Sequence, residues 1–225
     1  ASSNRKARLH FTIAPAFKDH FVAEFDRVKK TVEEKTQTRF DIAFSYQSSA
    51  TDTLAVDLEN NPIIFKDGTL FFRPAGHGAL LNNLNLLDAD LIFIKNIDNV
   101  TISSLEQETC HYKKLLAGYL LELRSKTFAY LIILEKNNVE DSIKEEIETF
   151  LTGQLAAVLP KDYYKYKTEY QLEHLHHQLD RPLRVCGMVK NEGESGGGPF
   201  WVYNQRGDLS IEIVETAQID KHDPR

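Results

Sequence analysis

A change of hydrophobic periodicity near residue 103 constrains the fold of this chain more than any other sequence feature. Before it, short apolar runs alternate with amphipathic stretches of helix length, whereas residues 103–179 carry almost only the helical repeat. Strand-like runs return after Pro182. Alternating strands and helices are typical of a mostly parallel sheet with right-handed crossovers. We therefore predict an α/β fold with a Rossmann-like, mixed and mostly parallel sheet and a helical insertion.

Local patterns place the individual elements. A short apolar run predicts a strand at 8–13, and alternation of apolar and polar residues predicts one at 40–46. The Asp67-Gly68 turn predicts a hairpin at 63–72. The continuous apolar run at 91–94 predicts a strand that is buried on both faces. The remaining predicted elements are helices at 15–34, 79–87, 105–136, 139–159 and just before Asp180, and strands at 183–189, 200–203 and 209–214. We expect an α/β half at 1–104, the helical insertion at 105–180, and returning strands of the same domain at 181–225.

Charge and hydropathy exclude several kinds of partner. The chain has 33 acidic and 27 basic residues, a formal net charge of −6, which argues against a broad nucleic-acid surface but not against a mononucleotide site. No apolar run approaches the ~20 residues that span a bilayer, and the first residues do not resemble a signal peptide. The cysteines, Cys110 and Cys186, lack metal-ligand spacing, so we expect reduced, partly buried thiols. Together these features predict a cytoplasmic protein without a nucleic-acid or membrane partner.

The segment Gly76-His77-Gly78 lies between a predicted strand and a predicted helix. Glycines at such a place let the backbone approach a ligand closely, and the imidazole of His77 adds a hydrogen-bonding group. The alternative is a plain turn with a surface histidine. Gly-x-Gly is common, so the tripeptide taken by itself favours the alternative.

A second candidate, Asn96-Ile97-Asp98-Asn99, follows the predicted strand at 91–94. Open α/β sheets bind ligands at the carboxyl ends of their strands. There the carboxylate of Asp98 could coordinate Mg²⁺, and the flanking amides of Asn96 and Asn99 could bind ribose or phosphate. A polar cap that ends the strand explains the same residues equally well. Glu215, at the end of a later strand, suits a sugar diol, although an exposed acidic residue is the simpler interpretation of its local pattern.

Three further patterns predict no site. The glycine-rich stretch 192–199 lacks the Gly-Lys-Ser/Thr ending of a P-loop. His174 and His177 lie one helical turn apart, without a cysteine or carboxylate to complete a metal site. Cys110 and His111 are neighbours on a predicted helix and face different sides, which disfavours a nucleophile pair.

Taken together, the three motifs resemble those of UDP-glucose and UDP-N-acetylglucosamine pyrophosphorylases. That family has a Pro-x-Gly-His-Gly segment, matched here by residues 74–78, and an Asn-x-Asp-Asn strand end, matched by residues 96–99. Its strand ending in Leu-Glu-x-Ala-Gln is similar to residues 214–218, and the strand at 9–13 and Gln47 also fall at family-like places. The whole chain is similar to an uncharacterised bacterial family, domain of unknown function 4301, that carries these motifs.

The resemblance implies a nucleotide-diphospho-sugar transferase (GT-A-like) fold and a nucleotidyltransferase that makes a UDP-sugar, or another NDP-sugar, from a sugar-1-phosphate and an NTP. It implies Mg²⁺ as cofactor, with a nucleotide and a sugar phosphate or NDP-sugar as ligands. The implied catalytic residues are His77 and Asp98, of which Asp98 binds the metal. The implied substrate-binding residues are Gln47, Gly76, Gly78, Asn96, Asn99, Gly187 and Glu215.

Two departures from the family limit what the resemblance implies. The family's glycine-rich activating loop is absent from these residues, so we expect a fragment of a longer protein that is inactive without the remainder of its parent chain. The family's Asp-Val-Lys-Gly-Gly stretch appears only as Arg184-Val185-Cys186-Gly187, without the lysine. A glycosyltransferase and a non-catalytic sugar-nucleotide-binding module therefore stay open as alternatives, as do the base, the sugar and the oligomeric state.

Overall fold

A computed structural model describes residues 4–97, 99–136, 139–193, 196–204, 207 and 209–220. Its backbone contacts divide the chain into a first unit, Ala1–Asn96, and a second unit, Ile97–Arg225. The division into three parts at residues 104 and 180 stays a prediction. None of the helices in the described ranges has the length and apolar character needed to cross a membrane.

The first unit begins with a β-α-β motif. Strand β1 (Lys6–Thr12) leads into helix α1 (Lys18–Thr36), and strand β2 (Arg39–Ser45) returns parallel to β1. The register runs from Lys6 opposite Arg39 to Thr12 opposite Ser45. This motif confirms the strands predicted at 8–13 and 40–46 and the helix predicted at 15–34.

Alternation along β1 and β2 gives the pair one apolar and one polar face. On the apolar face, Phe21 of α1 packs against Phe11 and Phe44, with ring centroids 6.1 and 6.4 Å apart. Successive strand residues point to opposite faces. The other face therefore carries His10 and Thr12 of β1 and Ser45 of β2, whereas α1 packs on the apolar face.

The rest of the first unit is a small antiparallel region and a short helix. Strands β3 (Thr53–Leu54) and β4 (Phe72–Arg73) pair antiparallel. Between them the predicted hairpin turn is present, since Gly68 has φ +85° and its N–H donates to the carbonyl of Phe65 over 2.9 Å. Helix α2 (Leu81–Asn85) follows a single 3-10 turn, His77–Leu80.

The second unit contains three helices around an apolar core: α3 (Glu106–Leu134), α4 (Asp141–Gly153) and α5 (Thr168–Leu179). They confirm the helical repeat predicted for this part of the chain. The buried members of the core are Leu123, Ile147, Phe150, Leu151, Tyr163, Leu175 and Leu179. Strands β5 (Gly197–Tyr203) and β6 (Leu209–Glu215) then form an antiparallel pair, from Gly197 opposite Glu215 to Tyr203 opposite Leu209.

The predicted fold class, a Rossmann-like, mostly parallel sheet of the GT-A-like type, is wrong. The described strands form three separate two-stranded sheets, and β1–β2 alone among them is parallel. The run at 91–94 is no strand and is not buried: Phe93 is 45% and Ile94 74% exposed. The run at 183–189 is no strand either. Its residues Leu183 and Val185 pack against the helical core. A short apolar run has the same pattern whether it pairs with a neighbour or only packs against one.

Both cysteines are free thiols. Cys110 and Cys186 are exposed, so the partial burial predicted for them is wrong.

Candidate functional site

Polar side chains meet at the carboxyl end of the parallel pair, on its polar face. The Ser45 hydroxyl oxygen lies 2.8 Å from Nε2 of His10 and 3.0 Å from the Thr12 hydroxyl oxygen. These contacts follow from the topology, because parallel strands end at the same edge and Thr12 is in register with Ser45. The edge is accessible, since His10 is exposed and Ser45 half-buried.

The side chain of Asn83 fastens α2 to this edge. It is 8% exposed, and its amide nitrogen donates to the Ser45 hydroxyl oxygen and to the Tyr46 carbonyl, each over 2.9 Å. The amide has two N–H groups, so these two bonds use its full donor capacity. Asn83 thereby restricts the position of the residues that lead into α2.

The side chain of Gln47 holds that preceding segment directly. In the orientation that satisfies both of its groups, the amide oxygen accepts from the Ala75 N–H over 2.8 Å and the amide nitrogen donates to the Ala75 carbonyl over 3.2 Å. These paired bonds imitate one step of a β-ladder. The structure thus brings Gln47 against Ala75, the residue that precedes Gly76-His77-Gly78, and the ligand-binding roles of these residues stay predictions.

Within the described residues, neither the backbone conformation nor the packing at positions 76 and 78 requires a glycine. Gly76 has φ −68°, which any residue adopts, and Gly78 is not among the positive-φ positions. A Cβ atom built on either glycine would meet no atom within 4 Å. Gly76, His77 and Gly78 are all exposed, so the space beside this backbone is open to a ligand.

The other candidates lie elsewhere or outside the described residues. Asn96 is exposed and is the last residue of the first unit, whereas Asn99, Gly187 and Glu215 belong to the second unit. Asp98 lies outside the described residues, and the role predicted for it stays a prediction.

Two candidates of the second unit have structural roles. The Glu215 carboxylate accepts from the Gln218 N–H, and the Gln218 side chain accepts from the Glu215 N–H over 3.0 Å, which is a capping box for the 3-10 turn Thr216–Gln218. Glu215 is exposed, so its carboxylate can still accept from a ligand. Gly187 lies against α3, because a Cβ there would be 3.0 Å from Cδ1 of Leu116.

Sequence reasoning missed His10, Thr12, Ser45 and Asn83. The signal available for the first three was polar alternation at the ends of two predicted parallel strands. The signal for Asn83 was an asparagine inside a predicted helix, where this residue type is unfavourable unless its side chain finds a partner.

No group of three or more histidine, cysteine, aspartate or glutamate side chains in the described ranges is arranged to hold a metal ion. The magnesium ion was expected at Asp98, which these ranges do not include, so the cofactor stays a prediction.

Comparison with known proteins identifies a family. A family model described as "Domain of unknown function (DUF4301)" matches residues 1–225. No curated protein matches the chain, and no solved structure does.

Proposed function

This chain belongs to the DUF4301 family, and from that premise we propose that its carboxyl edge of β1–β2 and segment 74–78 bind the nucleotide in a nucleotidyltransferase. The reaction is formation of a UDP-sugar, or another NDP-sugar, from a sugar-1-phosphate and an NTP. Catalysis in this proposal requires the parent protein, and the present chain contributes nucleotide binding.

The observation that carries the proposal is the pair of hydrogen bonds between Gln47 and Ala75. Gln47 and the Pro-Ala-Gly-His-Gly segment are distant in sequence, and the pyrophosphorylase resemblance assigns both to substrate binding. Their direct contact in the first unit supports one shared site. The open space beside Gly76 and Gly78 supports close approach of a ligand to this backbone.

The chemistry demands little of the protein beyond alignment and charge neutralisation. A sugar-phosphate oxygen attacks the α-phosphorus of the NTP, and pyrophosphate leaves with the electrons of the broken P–O bond. Because the nucleophile is already anionic, no general base is required. His77, in the first unit, supplies a side-chain donor to the nucleotide in this proposal.

Magnesium belongs to the same proposal. Asp98 offers carboxylate oxygen and its neighbours Asn96 and Asn99 offer amide oxygen, the hard ligands that Mg²⁺ prefers. The ion, when bound, neutralises phosphate charge.

Calorimetry of the chain with UTP and UDP-sugars, with and without Mg²⁺, tests nucleotide binding. We expect wild-type binding and about tenfold weaker binding by Gln47→Met, which keeps the side-chain volume but loses both bonds to Ala75. Gln107→Met, on the exposed start of α3, is the matched control and should bind as wild type. Equal affinity of the Gln47 and Gln107 variants, with both folded by circular dichroism, would remove the site assignment.

Pyrophosphate exchange by the parent protein separates the alternatives. Nucleotidyl transfer predicts exchange with at least one pair of NTP and sugar phosphate. Transfer to an acceptor without exchange would identify a glycosyltransferase, and binding without either activity would identify a non-catalytic module.

A further inference from the structure

Helix α3 has an exposed apolar face opposite the one that enters the core. Leu123 is buried in the helical core of the second unit, with 3% of its surface exposed. Leu121, Phe128 and Ile132 are 47%, 50% and 61% exposed. At 100° per residue these three side chains fall on one stripe, about 140° or more from Leu123 around the helix. The core of the second unit covers one apolar face of α3 and leaves the opposite apolar face exposed to solvent.

The spacing along this stripe reads the same in both directions. We define the α3 stripe as Lys114, Ala117, Leu121, Arg124, Ser125, Phe128, Ile132 and Glu135. The successive intervals are three, four, three, one, three, four and three residues, with the midpoint between Arg124 and Ser125. Alternating intervals of three and four residues are typical of helices that pair side by side.

The side chains that the symmetry brings together are complementary. In an antiparallel pair of α3 helices with a two-fold axis at the midpoint, Lys114 of one copy lies opposite Glu135 of the other. Ala117 lies opposite Ile132, a small residue facing a large one. Leu121 lies opposite Phe128. Each contact occurs twice, as an isologous interface requires.

We propose that the α3 stripe is the surface through which two copies of this chain associate, as an antiparallel helix pair. The occupant is a second copy because the stripe complements itself in spacing and size, and because Lys114 and Glu135 pair at its two ends. Arg124 lies over the Phe128 ring, 4.8 Å from its centroid, and its aliphatic part covers the apolar centre of the stripe. The paired segment is about 32 Å long, which places the interface at the small end of specific ones and makes the dimer concentration-dependent.

Sedimentation of the 225-residue chain over a range of concentrations tests the proposal. We expect a monomer–dimer equilibrium for wild type and loss of the dimer in Leu121→Glu. Leu115→Glu is the control, because Leu115 is 54% exposed on the same helix but off the stripe. A wild-type chain that stays monomeric at every concentration overturns the proposal, as does equal dimerisation of Leu121→Glu and Leu115→Glu.

Charge reversal tests the register without changing the apolar surface. Lys114→Glu and Glu135→Lys should each weaken the dimer about fivefold, since each pair occurs twice, and the double variant should restore it. Failure of the double variant to recover contradicts the antiparallel pairing.

Cross-linking tests the position of the two-fold axis in a Cys110→Ser/Cys186→Ser background. S125C, beside the axis, should oxidise to a disulfide-linked dimer, whereas K114C, at the end of the stripe, should not. Equal cross-linking at both positions would overturn the antiparallel arrangement. None of these outcomes depends on nucleotide binding, so the dimer and the proposed function fail independently.

Discussion

Tyr163 makes a buried hydrogen bond inside the second unit. Its side chain is fully buried, and its hydroxyl donates to the Glu148 carboxylate over 2.9 Å, where Glu148 is 8% exposed. Burial, followed by the hydrogen bond to Glu148, raises the pKa of Tyr163 far above its usual value. Gln171 closes the arrangement by donating to the Tyr163 carbonyl over 3.1 Å. The phenol therefore stays neutral and serves Glu148 as a donor.

Replacing Tyr163 by phenylalanine keeps the ring and removes only that donor. The Glu148 carboxylate then loses a hydrogen bond in a buried position, and we expect a loss of about 1–3 kcal/mol in the free energy of unfolding. Tyr164→Phe is the matched control, because Tyr164 is 72% exposed, and it should change stability by less than about 0.5 kcal/mol. Denaturant titration measures both. Equal stabilities of the two variants would show that the contact contributes nothing.

At the scale of elements, α2 is too short to form without tertiary support. Leu81–Asn85 is a five-residue helix, and isolated helices below about 12 residues are marginal in water. Asn83 and Gln47 supply the support from the end of β2. Side-chain amides therefore help to hold segment 74–78, which directly follows the paired strand β4.

The variant Asn83→Ala removes the two bonds to Ser45 and Tyr46. We expect about 1–3 kcal/mol less protection of the amide hydrogens of α2 against exchange with solvent. Asn82→Ala is the control, because Asn82 is the exposed neighbour on the same helix and should leave protection unchanged. Unchanged exchange in both variants would mean that α2 is held by other contacts.

The contact between α3 and α4 predicts a pH dependence. Tyr130 donates to the Glu146 carboxylate over 2.6 Å, and burial together with this bond raises the pKa of Tyr130 from 10.0 to about 12. A raised pKa means that the folded state favours the protonated phenol. The stabilisation is complete below pH 10 and is lost as the pH rises through about 12.

Absorbance titration of the tyrosines should show one group near pH 12 that disappears in Tyr130→Phe. The variant should also lose stability less steeply than wild type above pH 10. Ionisation of Tyr130 near 10 would contradict the contact.

The sequence predicted all four long helices and the strands β1, β2, β5 and β6, but it also predicted strands that do not form. The helical repeat identified α1, α3, α4 and α5, because a helix satisfies its own backbone hydrogen bonds. The runs at 91–94 and 183–189 were misassigned, because a strand exists only where a neighbour supplies its partners. Gln47 and Gly76-His77-Gly78 were predicted as site residues from their motifs, and that prediction stays open. The contacts of Ser45 and Asn83 could not be predicted, because they arise only once β2 and α2 have come together.

At the scale of the whole molecule, the two units differ in how they are stabilised. Among the described residues of the first unit, Ala7, Ile13 and Asn83 are buried, whereas the second unit contains an apolar core of seven buried residues. A ligand that binds the folded first unit would stabilise it by about 2.7 kcal/mol at a concentration of 100 times its Kd. Because the proposed nucleotide site lies in the first unit, we expect UTP to stabilise that unit.

The most direct measurement is a backbone-amide NMR titration of the chain with UTP and Mg²⁺. We predict that the largest chemical-shift changes fall on Gly76, His77 and Gly78 and on the Gln47 side-chain amide, and that Gln47→Met diminishes those of the three backbone amides. Changes confined to the helices of the second unit, or no change at saturating UTP, would contradict this prediction.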